Sequence, residues 1–422
     1  MMVLNGIVTI EEHRKRSMQL VVKQKHFGPR SFFLAVLTIN LMVIMCIDMY
    51  VPALPSMQQE FHVSESYLNL TMFVFFFFSA FSMMLTGPLS DRFGRCPVLR
   101  IGCILYVIST LLCVIAPSIE VLVFDRIIQS LGYGALITLG TALIKDSYQG
   151  QQLQMAMTVL QSSIIIGPAL APFIGTLILS LSDWRGIFVF LTACSVVALV
   201  LALLMSETHH PAQRLTPPAP TTTDESTSVY GMWTGIKALL SQRSFTSLML
   251  LMGVAGIPYF AFIAVVSYIL MDFFAVDYFQ YSLIYATACL VTIAAPYCYM
   301  WLAKHFRAPA ILRIIILCTL ISTVLLFGIG SWMPWLFLVA FIPYALAEGI
   351  VRPMAFVILL DQPKNRVGVA SSLANFSYTI LTSFATVFAT LPWPNFIWGL
   401  GIITAGSALL MMVCYLWGKQ RN

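Results

Sequence analysis

Five ionisable side chains, Asp48, Asp125, Arg126, Glu348 and Arg352, lie inside long apolar stretches of this 422-residue sequence, where a charge removed from water is costly. Their types and spacing define the chemistry available to them. A carboxylate such as Asp48 is expensive to keep ionised in an apolar stretch, which suits it to take up and release a proton. A guanidinium such as Arg126 stays charged. A carboxylate beside it can alternate between an ion pair and a protonated form, and the released cation can then take part in a conformational step. Asp48 lies about six residues from the end of its stretch at residue 54, and Arg126 about seven from the end of its own at residue 119. At about 1.5 Å per residue the two share a depth of roughly 10 Å. The alternative is that Asp48 caps or hydrogen-bonds near one end of its helix while Arg126 snorkels to the interface. Asp125 is either a second carboxylate at this cation or an interfacial residue. Glu348 and Arg352, four apart, share a helix face on which they can pair. Arg352 can hold an anionic group and Glu348 a proton or a cationic group, or the two can form a buried interhelical lock with Pro353 shaping the helix.

The elements that must position these residues follow from composition. At 59% hydrophobic and 9% charged, the chain departs from ordinary soluble domains. Twelve apolar stretches reach the roughly 20 residues that a hydrocarbon core of about 30 Å requires. They run over 31–54, 66–89, 97–116, 119–143, 152–180, 184–206, 244–271, 280–303, 309–330, 332–360, 366–390 and 394–417, numbered here as spans 1 to 12. Helices are required, because backbone groups in lipid must be satisfied within their own segment and no alternating barrel pattern appears. The first 30 residues are polar and no small-residue cleavage site follows span 1, so no removed signal peptide is expected.

Of 23 lysines and arginines, 20 fall in the amino-terminal end, the even-numbered links and the carboxyl-terminal end, leaving only Arg185 on the opposite side and Arg126 and Arg352 within spans. Lys and Arg are retained on the cytoplasmic side, so both termini are expected there. The net charge of +6 is thus topological and gives no reason to expect nucleic-acid binding. Nine cysteines, almost all within apolar spans and without metal-type spacing, read as small buried thiols. No cofactor or metal is expected.

The chain divides into a cytoplasmic segment 1–30, a six-helix bundle 31–206, a hydrophilic linker 207–243, a second six-helix bundle 244–417 and a tail 418–422. The linker carries PPAPTTTDESTS and reads as flexible. Placing 89–100 over 302–313 matches Leu89 with Leu302, Phe93 with Phe306, Leu99 with Leu312 and Arg100 with Arg313, an internal repeat at half the chain length.

The most specific motif is GPLSDRFGRCPVLR between spans 2 and 3. Gly87 would let two helices approach, Pro88 tolerates a helix end, Asp91 can pair with Arg92 or Arg95 or sit at a neighbouring helix start, and Gly94 permits a tight turn. This charged clasp can lock one conformation of a rocking molecule, and it resembles the loop signature of the major facilitator superfamily. RIIQSLGYGA from Arg126 and GPALAPFIG from Gly167 to Gly175 resemble motifs of that superfamily's twelve-helix drug:proton antiporters. The resemblance implies that Arg126 takes part in proton coupling and that Gly167, Pro168 and Gly175 shape the interface between the halves. Pro172 stands where a second glycine is usual. IDMYVPALP in span 1, WRGIF at Trp184 and the Glu207–Thr208 pair are similar to the bicyclomycin and chloramphenicol resistance (Bcr/CflA) subfamily.

The resulting expectation is an all-α membrane protein of the bacterial cytoplasmic membrane. Its two bundles would enclose a cavity and couple protons to the efflux of small amphipathic molecules or drugs. The alternative is a dedicated exporter of an endogenous metabolite such as a siderophore or another carboxylated compound. A monomer is what the resemblance implies. Tyr50, Tyr259, Tyr268 and Tyr285 are candidates for a mixed apolar pocket, each offering a ring and a hydroxyl. The phenylalanine cluster Met72–Phe81 reads as packing or lipid-facing. An enzyme is not expected, because all six histidines fall outside or at the ends of the spans and no nucleotide-binding glycine loop occurs. A sensor role would call for a signalling domain that neither linker nor tail resembles.

Overall fold

Each apolar stretch is a helix, because only intra-segment hydrogen bonds can satisfy a backbone in lipid. The computed structural model describes residues 20–22, 24–208, 229–362 and 367–419. Arg14, Lys15, Arg16, Lys23, Arg214, Lys364, Arg366, Arg421, His13, His209, His210 and most of the linker lie outside the described residues. Spans 2 to 6 are Glu65–Phe93, Arg95–Ile115, Ile119–Ser147, Gly150–Leu181 and Trp184–Leu204. Spans 8 to 12 are Tyr278–His305, Ala308–Gly328, Pro334–Leu359, Val367–Ala389 and Phe396–Lys419. Among the described residues ten helices are long and apolar enough to cross a membrane, and Gly150–Leu181 and Val367–Ala389 complete two sets of six. A further helix, Val229–Leu240, precedes span 7.

Span 1 runs beyond its expected end. Helix Pro29–Tyr50 passes through a 3-10 turn, Val51–Ala53, into helix Leu54–Phe61, which closes at His62 in the left-handed region with φ of 52°. Pro52 and Pro55 sit in the first turns of the elements that follow, where a missing N–H costs little, so they restart the helix instead of ending it. The extension is tied to span 6. Glu60 accepts from Trp184 Nε1 at 2.6 Å and pairs with Arg185 at 2.5 Å, which gives the lone outer cation its counter-charge.

Span 7 is also irregular. Arg243–Ser267 carries Pro258 and runs into a π-helical turn, Tyr268–Phe273. Proline cannot donate to the carbonyl four residues back, and Ser407 of span 12 donates to that carbonyl, Val254 O, at 2.8 Å. One residue on, the Tyr344 hydroxyl of span 10 stands between Ala255 O, to which it donates at 2.6 Å, and the Tyr259 N–H, from which it accepts at 2.9 Å. A side chain inserted in the helical ladder is a cause of bending, and here both interrupted positions are satisfied by hydroxyls.

Close approach within the first half relies on span 4. A side chain at Gly134 would strike Ser79 and Ser82 of span 2, and one at Gly140 would strike Asn40 of span 1. Gly87 does not act this way, because nothing lies within 4 Å of the position its side chain would occupy. Pro88 sits inside span 2, and Gly94, with φ of 101°, ends the helix.

The two halves meet on their outer side. Ser66 donates to Thr390 O, the Thr176 and Ser282 hydroxyls lie 2.7 Å apart, and Ser282 also reaches Pro172 O at 3.3 Å. The phenylalanines of span 2 join this seam, Phe73 and Phe77 against Phe384, Phe81 against Phe376 and Phe76 against Phe260 at 4.7 Å. They pack halves together.

Candidate functional site

Asp48 is buried, with an exposure of 6%, and it faces the opposite half of the molecule. The Tyr285 hydroxyl of span 8 donates to its Oδ1 at 2.5 Å. Tyr133 of span 4 and Tyr259 and Tyr281 of the second half lie close enough to feel its charge. Tyr281 stacks on Tyr285 with centroids 6.0 Å apart. The carboxylate is thus held in a phenol-rich setting at the junction of spans 1, 4, 7 and 8.

Arg126 does not pair with Asp48. Its Nη1 donates to Gln129 Oε1 at 2.6 Å and approaches Cys46 Sγ at 3.7 Å. The guanidinium carbon stands 4.5 Å from the Tyr50 ring centre, 4.6 Å from that of Phe75 and 5.9 Å from that of Phe188. Cys46 and Tyr50 flank it, so Asp48 is indeed level with Arg126, but two residues are about 200° of helix rotation and Asp48 points to the other side. With span 1 ending at Phe61, Asp48 lies well inside the span and does not cap its outer end. Nor does Asp125 pair with Arg126, since adjacent residues on a helix do not face each other. Asp125 Oδ2 and Arg126 Nε and Nη2 are buried without a hydrogen-bond partner among the described residues. Attraction to ring faces is the principal compensation for this cation, together with Gln129.

Glu348 and Arg352 share a face of span 10 without bonding to each other. The Tyr378 hydroxyl of span 11 donates to Glu348 Oε1 at 2.9 Å, and the Arg352 guanidinium lies over the Tyr378 ring at 4.7 Å. One tyrosine therefore separates the expected pair. Glu348 is buried and Arg352 is exposed.

Of the four tyrosine candidates, Tyr259 and Tyr285 stand at the junction. Tyr50 is buried inside the first half, bonded to Thr71 at 2.8 Å and covering Arg126, so it does not line the space between halves. Tyr268 packs on Phe396 at 5.8 Å in the outer region, apart from this cluster. Phe260, Tyr281 and Tyr378 were not singled out by the sequence, where an isolated aromatic in an apolar span carries no local mark, and Tyr133 appeared there only within the motif beginning at Arg126. Gln129 was legible only as part of the motif beginning at Arg126.

Gly167 and Gly175 press span 5 on span 1, since a side chain at Gly175 would come within 2.5 Å of Met49 O and one at Gly167 within 2.9 Å of Ile44. The clasp sits at the other end. Arg95 pairs with Asp91 at 2.5 Å and with Asp146 of span 4 at 2.9 Å, and it donates to Ser90 Oγ at 2.6 Å. Glu207 accepts from the Arg95 and Cys96 N–H groups at the start of span 3, at 3.0 and 3.2 Å. Arg92 lies over the Phe93 ring at 5.3 Å and makes no ion pair among the described residues. All these partners but Glu207, the first residue of the linker, belong to the first half.

Two six-helix bundles, an outer seam and ionisable groups buried at bilayer depth define a membrane transporter, not an enzyme. The chain belongs to the Major Facilitator Superfamily, whose profile matches residues 36–386. It is 26% identical to Multidrug resistance protein D of Escherichia coli (strain K12) over 381 residues, which cover 87% of this chain and 90% of that protein. It is 27% identical to Multidrug resistance protein MdtL of Klebsiella pneumoniae (strain 342), over 60% of this chain and 61% of that one. The crystal structure of a D-xylose-proton symporter superposes with a TM-score of 0.69 at 17% identity, covering 90% of this chain and 97% of that one.

Proposed function

We propose that the protein is a proton-coupled exporter of small amphipathic molecules in the bacterial cytoplasmic membrane, within the Bcr/CflA branch, working as a monomer. Its moving units are the bundles 31–206 and 244–417, joined by the linker 207–243. The observation that carries this reading is the Asp48–Tyr285 hydrogen bond, which places the first half's buried carboxylate in the outer seam against the second half.

Enclosing an ionised carboxylate in that seam is costly, whereas enclosing a neutral one is cheap. In the outward-open form Asp48 takes a proton from outside, and the neutral side chain permits the seam to close on Tyr285. In the closed form substrate enters from the cytoplasm and the proton leaves. The charge then left on Asp48 weakens the seam, and the halves rock outward with their cargo. Arg126, caged one helix face away, supports the field around span 1 and becomes available to a carboxylate when span 1 turns. The Arg95 clasp holds the cytoplasmic ends of spans 2, 3 and 4 as one rigid body through the swing. A potential of 100 mV supplies about 2.3 kcal/mol per charge, roughly a fortyfold gradient if one proton's charge moves uncompensated. The two relatives named for multidrug resistance support the direction and breadth of transport.

The test is reconstitution in proteoliposomes with a panel of cationic, neutral and carboxylated compounds. An imposed pH gradient is expected to drive uphill flux of at least one of them, and substrate addition to move protons. Flux indifferent to the gradient across the whole panel contradicts the proposal.

A further inference from the structure

We infer that Arg352 is the anchor of a substrate site for amphipathic carboxylates, molecules with one anionic carboxylate on an apolar or aromatic body. The inference rests on the reading of the protein as an exporter, and it adds the charge of the cargo.

Arg352 lies seven residues before the end of span 10 at Leu359, roughly 10 Å into the helix at 1.5 Å per residue, where a cation facing lipid is costly. It does not face lipid. Its guanidinium lies over Tyr378 of span 11, and Tyr133 of span 4, in the other half, is within reach of its charge. It is nevertheless exposed, on the side that Tyr133 of the other half approaches.

Its natural partner is withheld. Glu348, one turn away, accepts the Tyr378 hydroxyl, and no ion pair or hydrogen bond from the Arg352 guanidinium to a described residue exists. The accessible charge in this region is therefore positive, because Asp48 and Glu348 are 6% and 5% exposed and each is covered by a tyrosine hydroxyl. A guanidinium offers a planar fork of donors that matches a carboxylate. Beside it, Tyr378 meets Phe260 at 6.1 Å and Phe260 meets Phe76 of the first half at 4.7 Å, an aromatic wall against which an apolar body can lie.

The test is equilibrium binding to the purified full-length protein in detergent, read as dansyl fluorescence, with dansylglycine and its neutral methyl ester as probes. The wild-type protein is expected to bind the acid about tenfold more tightly than the ester, the size of a charge-assisted hydrogen bond. Arg352→Gln should bind the two alike, and Arg352→Lys should keep a reduced preference. Glu348→Gln, whose amide oxygen can still accept the Tyr378 hydroxyl, should keep the full preference, and Arg352→Lys tests the site even if Arg352→Gln does not fold. Equal binding of acid and ester by the wild type, no binding of dansylglycine, an intact preference in Arg352→Gln or a lost one in Glu348→Gln each overturns the assignment. No proton gradient is involved, so the result separates substrate charge from proton coupling.

Discussion

The two halves share a helix plan but distribute charge in opposite ways. The first half turns one cation inward and ties another down: Arg126 is fully buried among aromatic rings, and Arg95 is bonded to Asp91 and Asp146. The second half leaves its membrane-depth cation, Arg352, exposed and supplies the phenols, Tyr285 and Tyr378, that cover both carboxylates. At the link repeated between spans 8 and 9, Lys304, Arg307 and Arg313 form no ion pair among the described residues. On the reading proposed above, the difference is a division of labour in which the first lobe, with its caged cation and buried carboxylate, would carry the proton site and the second, with an exposed cation, would read the cargo. The bend in span 7, stitched by Tyr344 and Ser407, belongs to the second lobe.

This contrast can be broken from either side. Arg126→Met is expected to lower pH-driven flux about 100-fold or more while leaving thermal stability unchanged or higher, because a buried charge replaced by a similar apolar volume is often neutral or stabilising. Equal losses of folding and flux would make Arg126 a structural residue. Tyr285→Phe removes one donor across the seam and should cut flux about tenfold, with outer-side residues such as Ser282 becoming more reactive after substitution by cysteine. Unchanged accessibility would remove this bond from the seam. Asp91→Ala should slow turnover about threefold to tenfold with substrate affinity preserved, since its partner Arg95 keeps Asp146; weakened affinity at constant turnover would contradict the clasp. The smallest effect is expected from Tyr344→Phe, which leaves Tyr259 N–H and Ala255 O without their hydroxyl and should cost about 1 kcal/mol in a denaturation assay. No loss there would mean the span 7 ladder closes by itself.

The spans themselves were legible because apolar length is a strong signal, and most ends fall within a few residues of expectation. Span 1 was the exception, running past its expected end at residue 54 to Phe61, because Pro52 and Pro55 occupy first-turn positions where proline is tolerated. Depth was legible only in part: Asp48 is level with Arg126, which reaches Cys46 and Tyr50 on either side of it, but the count that put it about six residues from an end at residue 54 fails because the helix continues to Phe61. Facing was not, because a rotation of about 100° per residue decides partners and the packing of span 1 sets that rotation. The same limit hid Tyr378, whose hydroxyl reaches Glu348 from another helix 30 positions along the chain. Pairs local to one helix invite an ion-pair reading; hydrogen bonds between helices overrule it.

The most direct measurement is substrate-dependent proton movement in proteoliposomes containing Asp48→Asn, compared with wild type at equal protein insertion. Wild type is expected to move protons when substrate is added, and the variant to lose that movement and pH-driven efflux by at least about 100-fold while still binding substrate. Proton movement at the wild-type rate in Asp48→Asn would contradict the account.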